Sequence, residues 1–177
     1  MINDNRWGIL YCPKHEMFGS PKRRWEKIEA CLKSNGVEYD FVQSESSAGV
    51  DRLIKMMINN GYRTIVVVGG DSALNDAVNC MMQADRNDRE RVALGVIPNG
   101  LMNDFAHFWG LREDDYDQII KWLKERRVRK IDLGCIRYAN KHGEACRRYF
   151  LNCINIGLVA TIMNLRSEEH TSELQSR

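Results

Sequence analysis

Apolar residues in this chain occur in two alternating patterns, short continuous runs and longer stretches at helical spacing. The run Ile65–Val68 contains only β-branched residues, which is typical of a strand buried on both faces of a parallel sheet. A helical stretch follows each run, and this alternation predicts an α/β fold with right-handed crossovers. The predicted strands are Arg6–Tyr11, Val37–Gln43, Ile65–Val68 and Ala93–Ile97.

Start and stop signals predict the positions of the helices. Ser20 and Pro21 suit the N-cap and first position of a helix that Asn35–Gly36 ends. Ser72 is predicted to cap the helix after the third strand. The other helical patterns cover 50–58, 103–109 and 114–127, and 85–91 is predicted to be a charged connector.

The pattern changes near residue 130. Two strand-like segments, 131–138 and 148–156, flank the turn-rich residues 139–144 and predict an antiparallel hairpin. We therefore expect a nucleotide-binding α/β domain over 1–129 and the start of a β-rich second domain over 130–165.

Residues 166–177 differ from everything before them. They are polar and aperiodic, and they resemble the translation of a sequencing-adapter oligonucleotide. We expect a non-native tail without function, the alternative being a genuine flexible terminus. A non-native tail would make the chain a fragment whose second domain is truncated.

The overall composition is that of a soluble globular protein, with 44% apolar and 28% charged residues and a net charge of +2. Six scattered cysteines without a C-x-x-C pair, and the lack of a signal-peptide pattern, predict reduced thiols in a cytoplasmic protein. No apolar run approaches the roughly 20 residues that span a bilayer.

The turn Gly69–Gly70–Asp71 carries the first candidate chemistry. A strand that enters a helix through two glycines brings backbone N–H groups and the helix dipole together, which favours phosphate binding over a mere tight turn. A carboxylate beside phosphate requires a metal between them, so Asp71 predicts Mg²⁺. The competing role of Asp71 is a helix cap.

A second turn, Pro98–Met102, follows the next buried strand. Gly100 permits close backbone approach, while Asn103 and Asp104 could either cap the next helix or join a magnesium site. Ligands of parallel sheets lie beyond the carboxyl ends of the strands, so we expect both turns at that edge. Neither turn matches a Walker A loop or a Rossmann glycine motif.

Three motifs resemble the diacylglycerol kinase catalytic-domain family, in particular its bacterial lipid kinases. They are the strand–Gly69–Gly70–Asp71–helix unit, the turn Pro98–Ala106 and the strand Tyr149–Gly157, within a resemblance that covers residues 6–165. The resemblance implies a three-layer parallel sheet similar to the NAD kinase and phosphofructokinase-like fold, followed by a β-sandwich domain. It also implies ATP, Mg²⁺ and a lipid hydroxyl acceptor, such as that of diacylglycerol or sphingosine.

The resemblance further implies which residues form the site. The nucleotide contacts would be Gly69, Gly70, Asp71 and Asn75 on one side, and Gly100, Asn103 and Asp104 on the other. Cys12–Pro13 takes the place of the family's Asn-Pro phosphate loop, and Ser44 that of a nucleotide-binding threonine. Asp71 is the predicted catalytic residue, and Asp71 and Asp104 are the predicted magnesium ligands.

The chain departs from the family pattern Gly-Gly-Asp-Gly-Thr, because Ser72 and Ala73 take its last two places. Ser72 could restore one hydroxyl donor to the nucleotide. Leu101 replaces the threonine of the second motif, and Cys12 replaces asparagine. Each lost hydrogen bond is worth about 0.5–3 kcal/mol. The losses leave a non-catalytic, nucleotide- or lipid-binding pseudokinase open beside the kinase.

The basic segment Lys121–Lys130 is either a solvated helix face or a contact with anionic lipid headgroups. No aromatic pattern supports a nucleic-acid partner, and a homodimer is left open. The leading prediction is the nucleotide-binding part of an ATP-dependent lipid kinase that works at the membrane surface. We expect little activity from the fragment, since the family's general base lies in the second domain. A kinase of a soluble acceptor, as in NAD kinase, is a further alternative.

Overall fold

The computed structural model describes residues 5–13, 20–44, 47–125 and 128–153. In these residues, parallel strands alternate with helices and an antiparallel hairpin follows. The elements are β1 (Trp7–Tyr11), α1 (Pro21–Ser34), β2 (Tyr39–Gln43), α2 (Ser47–Asn59), β3 (Thr64–Gly69), α3 (Asp71–Gln83), α4 (Arg86–Arg89), β4 (Ala93–Pro98), α5 (Asp104–Phe108), α6 (Tyr116–Lys124), β5 (Gly134–Ala139) and β6 (Ala145–Phe150).

The main sheet has the strand order β2-β1-β3-β4, and all its pairs are parallel. The chain passes from β1 outward to β2 and then returns across β1 to β3. As a result α1 and α3, which follow the neighbouring strands β1 and β3, pack on opposite faces of the sheet. Such a divergence is a topological switch point, where ligands of parallel sheets bind.

Helices cover both faces of the sheet because consecutive strand residues point in opposite directions. Leu10, Ile65 and Val67 pack against α2 and α3 on one face. Ile9, Val66 and Val68 pack against α1 and α6 on the other. Every residue of β1 and β3 is buried. The predicted three-layer α/β sheet is therefore confirmed.

A charged cluster fastens the amino-terminal edge of the sheet. Arg6 donates from Nε and Nη2 to the two carboxylate oxygens of Asp40, each at 2.7 Å. The Tyr62 hydroxyl donates to the same carboxylate. The Arg6 hydrogen bond, followed by that of Tyr62, lowers the pKa of Asp40. Burial and the Asp40 hydrogen bond raise the pKa of Tyr62 to about 12. The cluster joins β2 to the segments that enter β1 and β3.

The hairpin β5–β6 is antiparallel and lies against α3. The Asn79 side chain donates to the backbone oxygen of Tyr149 and accepts from its backbone nitrogen, both at 2.9 Å. Arg148 adds an ion pair with Asp76 at 2.6 Å. An amide side chain on a helix thus completes the hydrogen bonding of a strand edge.

Several element boundaries differ from the sequence prediction. α2 begins at Ser47 and α6 ends at Lys124, while the predicted connector contains the short helix α4. β6 begins at Ala145, three residues before the predicted start, since the turn is closed by two backbone donors to the Asn140 side chain. Residues 154–177 lie outside the described residues, and they include the end of the second strand of the predicted hairpin and the predicted tail, 166–177.

Candidate active site

The loops that leave the carboxyl edge of the sheet form the candidate active site. Gly69 and Pro98 are partners in the β3–β4 register, so both predicted turns start from the same row of the sheet. Cys12 donates its backbone N–H to Val68 at 2.8 Å, and Ser44 donates to Tyr11 at 2.9 Å. These bonds bring the loops after β1 and β2 to the same edge.

The two glycine turns are in direct backbone contact at Gly70 and Gly100. A Cβ atom on Gly70 would lie 2.7 Å from the Cα of Gly100, a distance that real Cβ contacts do not show. The backbone nitrogen of Asp71 also donates to the oxygen of Met102 at 3.3 Å. The turns therefore form one unit, and a ligand would lie along their common rim rather than between their backbones.

Asp71 joins the turns through its carboxylate. Oδ2 accepts from the backbone nitrogen of Asp104 at 2.8 Å, and Oδ1 accepts from that of Phe105 at 3.1 Å. These donors belong to the first turn of α5, which has no intrahelical acceptors for them. Asp71 is thus a cap, but of α5 rather than of its own helix.

The predicted capping residues have other roles. The N-cap of α3 is Gly70, so Ser72 lies inside the helix and the predicted Ser72 cap is wrong. The reason is that the chain already turns at Gly70, where the next N–H is bound by Met102. The Asn103 side chain makes no cap bond to α5 either.

Asn103 instead braces the second turn from inside. It is buried, accepts from the backbone nitrogen of Gly100 at 2.9 Å and donates to the oxygen of Gly100 at 3.0 Å. Its amide also donates to Glu113. The N–H of Gly100 is therefore occupied, and α3 supplies the backbone donors that remain suited to phosphate.

The first turn of α3 is the part of the site best placed for an anion. Ser72 and Ala73 follow Asp71 in this turn, where helix geometry leaves the N–H groups without intrahelical acceptors. One turn further, the Oδ1 atom of Asn75 is buried and has no hydrogen-bond partner among the described residues. A ligand hydroxyl or amino group could donate to it.

Asn99 is a site residue that the sequence prediction missed. It is 3% exposed, donates to the backbone oxygen of Cys12 at 3.4 Å and accepts from Arg24 at 3.2 Å. Its backbone nitrogen donates to Gly69 at 2.9 Å. Asn99 thus links the loops after β1, β3 and β4 to α1. Only its position beside Pro98 in a turn could have indicated this role.

Two predicted contacts from other loops are largely enclosed by the protein. Ser44 is 5% exposed at the end of β2. Burial, with a smaller contribution from Asp76, raises the pKa of the Cys12 thiol to about 11. The thiol is therefore neutral at physiological pH and adds no negative charge near a phosphate. Residues 14–19 of the predicted phosphate loop lie outside the described residues.

Residues 5–13, 20–44, 47–125 and 128–153 contain no group of three or more histidine, cysteine, aspartate or glutamate side chains that could hold a metal ion. Mg²⁺ is commonly bound by one or two carboxylates together with substrate phosphates and waters. Asp71 retains lone pairs beyond its two accepted bonds, and Asp104 is exposed at the start of α5. This donor set fits a magnesium ion that shares phosphate ligands.

The cations at the end of α6 have partners within the chain. Lys121 forms an ion pair with Asp117 at 2.6 Å, and Lys124 donates to the backbone oxygen of Asn35. Residues 126–127 of the predicted basic segment lie outside the described residues. Among the helices that the structure describes, none is long and apolar enough to cross a membrane.

Comparison with known proteins gives a family match. The family model of the diacylglycerol kinase catalytic domain matches residues 18–136, which include both glycine turns. The putative lipid kinase YtlR of Bacillus subtilis is 26% identical over 79% of this chain and 44% of its own length. A probable YegS-like lipid kinase of Chromohalobacter salexigens is 33% identical over 68% of this chain and 34% of its own length.

The diacylglycerol kinase of Staphylococcus carnosus is 25% identical over 95% of this chain and 49% of its own length. The chain therefore spans less than half the length of these relatives. A solved diacylglycerol kinase structure from Bacillus anthracis superposes with a TM-score of 0.65, at 19% identity, over 84% of this chain and 46% of that one. This likeness shows that the two proteins share the fold.

Proposed function

The chain belongs to the diacylglycerol kinase catalytic-domain family, and we propose that it is the nucleotide-binding part of an ATP-dependent lipid kinase. The acceptor would be a lipid hydroxyl, such as that of diacylglycerol, presented at a membrane surface. The observation that carries the proposal is the backbone contact between Gly70 and Gly100 at the first turn of α3. The contact places the first turn of α3, whose N–H groups lack intrahelical acceptors, at the edge of the sheet where ATP phosphates could bind.

Mg²⁺ would be shared between ATP and the Asp71 and Asp104 carboxylates, and when bound it would neutralise charge on the transferring phosphoryl group. The contribution of this chain would be to position the phosphates. Asp71 suits that task because its two backbone bonds fix the carboxylate beside the α3 N-terminus. The orphaned Asn75 oxygen would accept from the nucleoside.

The hairpin β5–β6 would begin the second domain, and the general base would come from that domain. We therefore expect this chain to bind Mg·ATP but to transfer phosphate poorly. Calorimetry with Mg·ATP tests the binding, and assays of phosphate transfer to diacylglycerol micelles test the reaction. The second assay compares this chain with a longer protein that carries the second domain. No nucleotide binding by the folded longer protein would remove the kinase proposal.

Asp71→Asn gives a more specific test. It keeps one acceptor for the α5 backbone but removes the negative charge that magnesium requires. In the longer protein, a kinase should lose turnover much more than nucleotide affinity. An equal loss of both would indicate that Asp71 acts only in shaping the site.

A non-catalytic nucleotide-binding protein is the second candidate, and the second turn favours it. The Gly100 N–H is already bound by Asn103, and the neighbouring Leu101 is 68% exposed but has no polar group for phosphate. Such a protein would bind Mg·ATP without transferring phosphate to diacylglycerol, sphingosine or a soluble acceptor. A kinase of a soluble acceptor would instead be active with NAD.

A further inference from the structure

Two large aromatic side chains are exposed at the end of α5. Phe108 is 81% exposed and Trp109 is 40% exposed, and their rings meet edge to face with centroids 5.3 Å apart. Trp109 also lies 6.3 Å from the half-buried ring of Phe105, which fixes it to the body of the domain. The Phe108 ring is therefore largely exposed, while Trp109 and Phe105 hold it in position.

The segment that follows α6 extends this surface. The Arg129 guanidinium lies 5.9 Å from the Trp109 ring centroid, in the range of a cation–π contact. Beside Arg129, Val128 is 64% exposed and Ile131 is 42% exposed. Lys130 is also exposed. Phe108 and Trp109, together with residues 128–131, which Arg129 connects to Trp109, are here named the aromatic–basic surface.

We propose that the aromatic–basic surface docks on a bilayer that contains anionic phospholipids. Its composition suits the boundary between headgroups and acyl chains, where tryptophan is enriched, apolar side chains insert and basic residues contact anionic headgroups. Arg129 contacts the Trp109 ring directly, so a cation and an aromatic side chain can meet the bilayer at the same point.

The position of this surface deepens the proposed function, on which its biological use rests. Phe108 and Trp109 lie one to two turns along the helix from Asp104, about 6–7.5 Å at 1.5 Å per residue. Asp71 holds the start of that helix beside the candidate phosphate site. Docking would bring a lipid hydroxyl close to that site. The end of α6 is a poorer candidate, because Lys121 and Lys124 are bonded within the chain.

Vesicle sedimentation tests the proposal with this chain. One set of vesicles contains phosphatidylcholine alone and the other adds phosphatidylglycerol. We expect binding to the anionic vesicles that weakens as salt is raised. Phe108→Ser should reduce the partition coefficient about tenfold, as expected for loss of an inserted phenyl ring. Arg129→Glu should also reduce it about tenfold and remove most of the salt dependence.

Matched controls come from the hairpin, where Tyr138 is 47% exposed and adjoins Arg137. Tyr138→Ser and Arg137→Glu should leave vesicle binding unchanged, as should Trp122→Ser on α6. Wild-type binding by both Phe108→Ser and Arg129→Glu would overturn the proposal, and so would an equal loss in the controls. Circular dichroism establishes that each variant is folded.

Other occupants of the surface predict different results. If Phe108→Ser converts a lipid-free dimer into a monomer, the surface joins two copies and membrane docking is overturned. If a longer protein with the second domain fails to bind vesicles that this chain binds, the rest of the polypeptide covers the surface, and docking is again overturned. Vesicle binding by a chain that does not bind Mg·ATP would support docking and count against the kinase proposal.

Discussion

The carboxylate of Asp71 holds the backbone of Asp104, 33 residues away in the chain, with Oδ2 and the amide nitrogen 2.8 Å apart. The bond places the negative charge of Asp71 at the positive end of α5, where the helix dipole favours it. It also fixes the distance between the two glycine turns. One side chain thus combines a structural role with the proposed contact to magnesium.

Replacing Asp71 by alanine should destabilise the protein by about 0.5–2 kcal/mol, the usual cost of losing a helix cap. Asp71→Asn should cost less, because one acceptor oxygen is left. Urea unfolding measures both. The matched control is Asp115→Ala, since Asp115 caps α6 by accepting from Gln118 at 3.3 Å. The Asp115→Ala variant should lose similar stability but bind Mg·ATP normally. Reduced Mg·ATP binding by this variant would contradict the proposed contact of Asp71 with magnesium, because loss of stability alone would then explain the effect.

Gly100→Ala should separate the two turns, since its Cβ would overlap Gly70. We expect a stability loss of about 1–3 kcal/mol, as for overpacking. The separated turns should also bind Mg·ATP more weakly than the wild-type turns, and calorimetry would measure the difference in affinity.

The control for Gly100→Ala is Gly36→Ala, after the end of α1. Gly36 has φ 62°, and a Cβ there would meet nothing within 4 Å. The left-handed backbone alone makes alanine cost about 1–2 kcal/mol. Unchanged nucleotide affinity in Gly36→Ala, with a loss in Gly100→Ala, would locate the effect at the turns. Equal Mg·ATP affinities in the two variants would exclude a specific role of the Gly70–Gly100 contact in nucleotide binding.

Asn79→Ala should release the hairpin from α3. The side chain makes two part-buried bonds to the Tyr149 backbone, and leaving those groups unpaired costs about 1–3 kcal/mol. Hydrogen exchange should show faster exchange of the β5 and β6 amides while the β1 and β3 amides remain protected. Arg148→Ala is the comparison, because its ion pair involves a side chain that is 52% exposed. It should cost under about 1 kcal/mol, and a larger effect than in Asn79→Ala would contradict the prediction.

The Arg6–Asp40–Tyr62 cluster predicts a pH dependence of stability. The folded pKa of Asp40 lies below its ordinary value of 3.8. Its contribution is therefore present above about pH 4 and is lost as the pH falls through the folded pKa. Tyr62 has a folded pKa raised from 10.0 to about 12. Its contribution is present below pH 10 and is lost as the pH rises toward 12.

Urea unfolding of wild type and Asp40→Asn tests this dependence. The difference in unfolding free energy between the two proteins should be nearly constant from pH 5 to 9 and shrink below pH 4 and above pH 10. A difference independent of pH would show that the charge of Asp40 does not contribute. Glu38→Gln is a suitable control, since Glu38 lies 3.9 Å from Arg6 and is largely exposed.

The sequence predicts those features that depend on neighbouring residues. The run Ile65–Val68 lies within β3 because its β-branched side chains can be buried on both faces, and Asn35–Gly36 ends α1 as expected. Pairing in parallel strands also follows from the α/β rhythm. This is why both turns could be placed at one edge before their register was known.

The sequence could not predict contacts that depend on folding at long range. Nothing near Asp71 indicates that its acceptors serve another helix, and Ser72 is locally an equally good cap. Asn79 looks like any polar residue on a helix surface until the edge of β6 lies opposite it.

Helix α3 has a mechanical consequence for the whole molecule. Its N-cap, Gly70, lies at the candidate phosphate site, and Asn79, nine residues later, is hydrogen-bonded to the hairpin at Tyr149. At 1.5 Å per residue, about 13 Å of rigid helix connects these two points. An axial shift of α3 would move the hairpin by a similar distance, so a displacement at the glycine turn would be transmitted to the hairpin. α3 therefore couples the position of the hairpin to that of the glycine turn at Gly70.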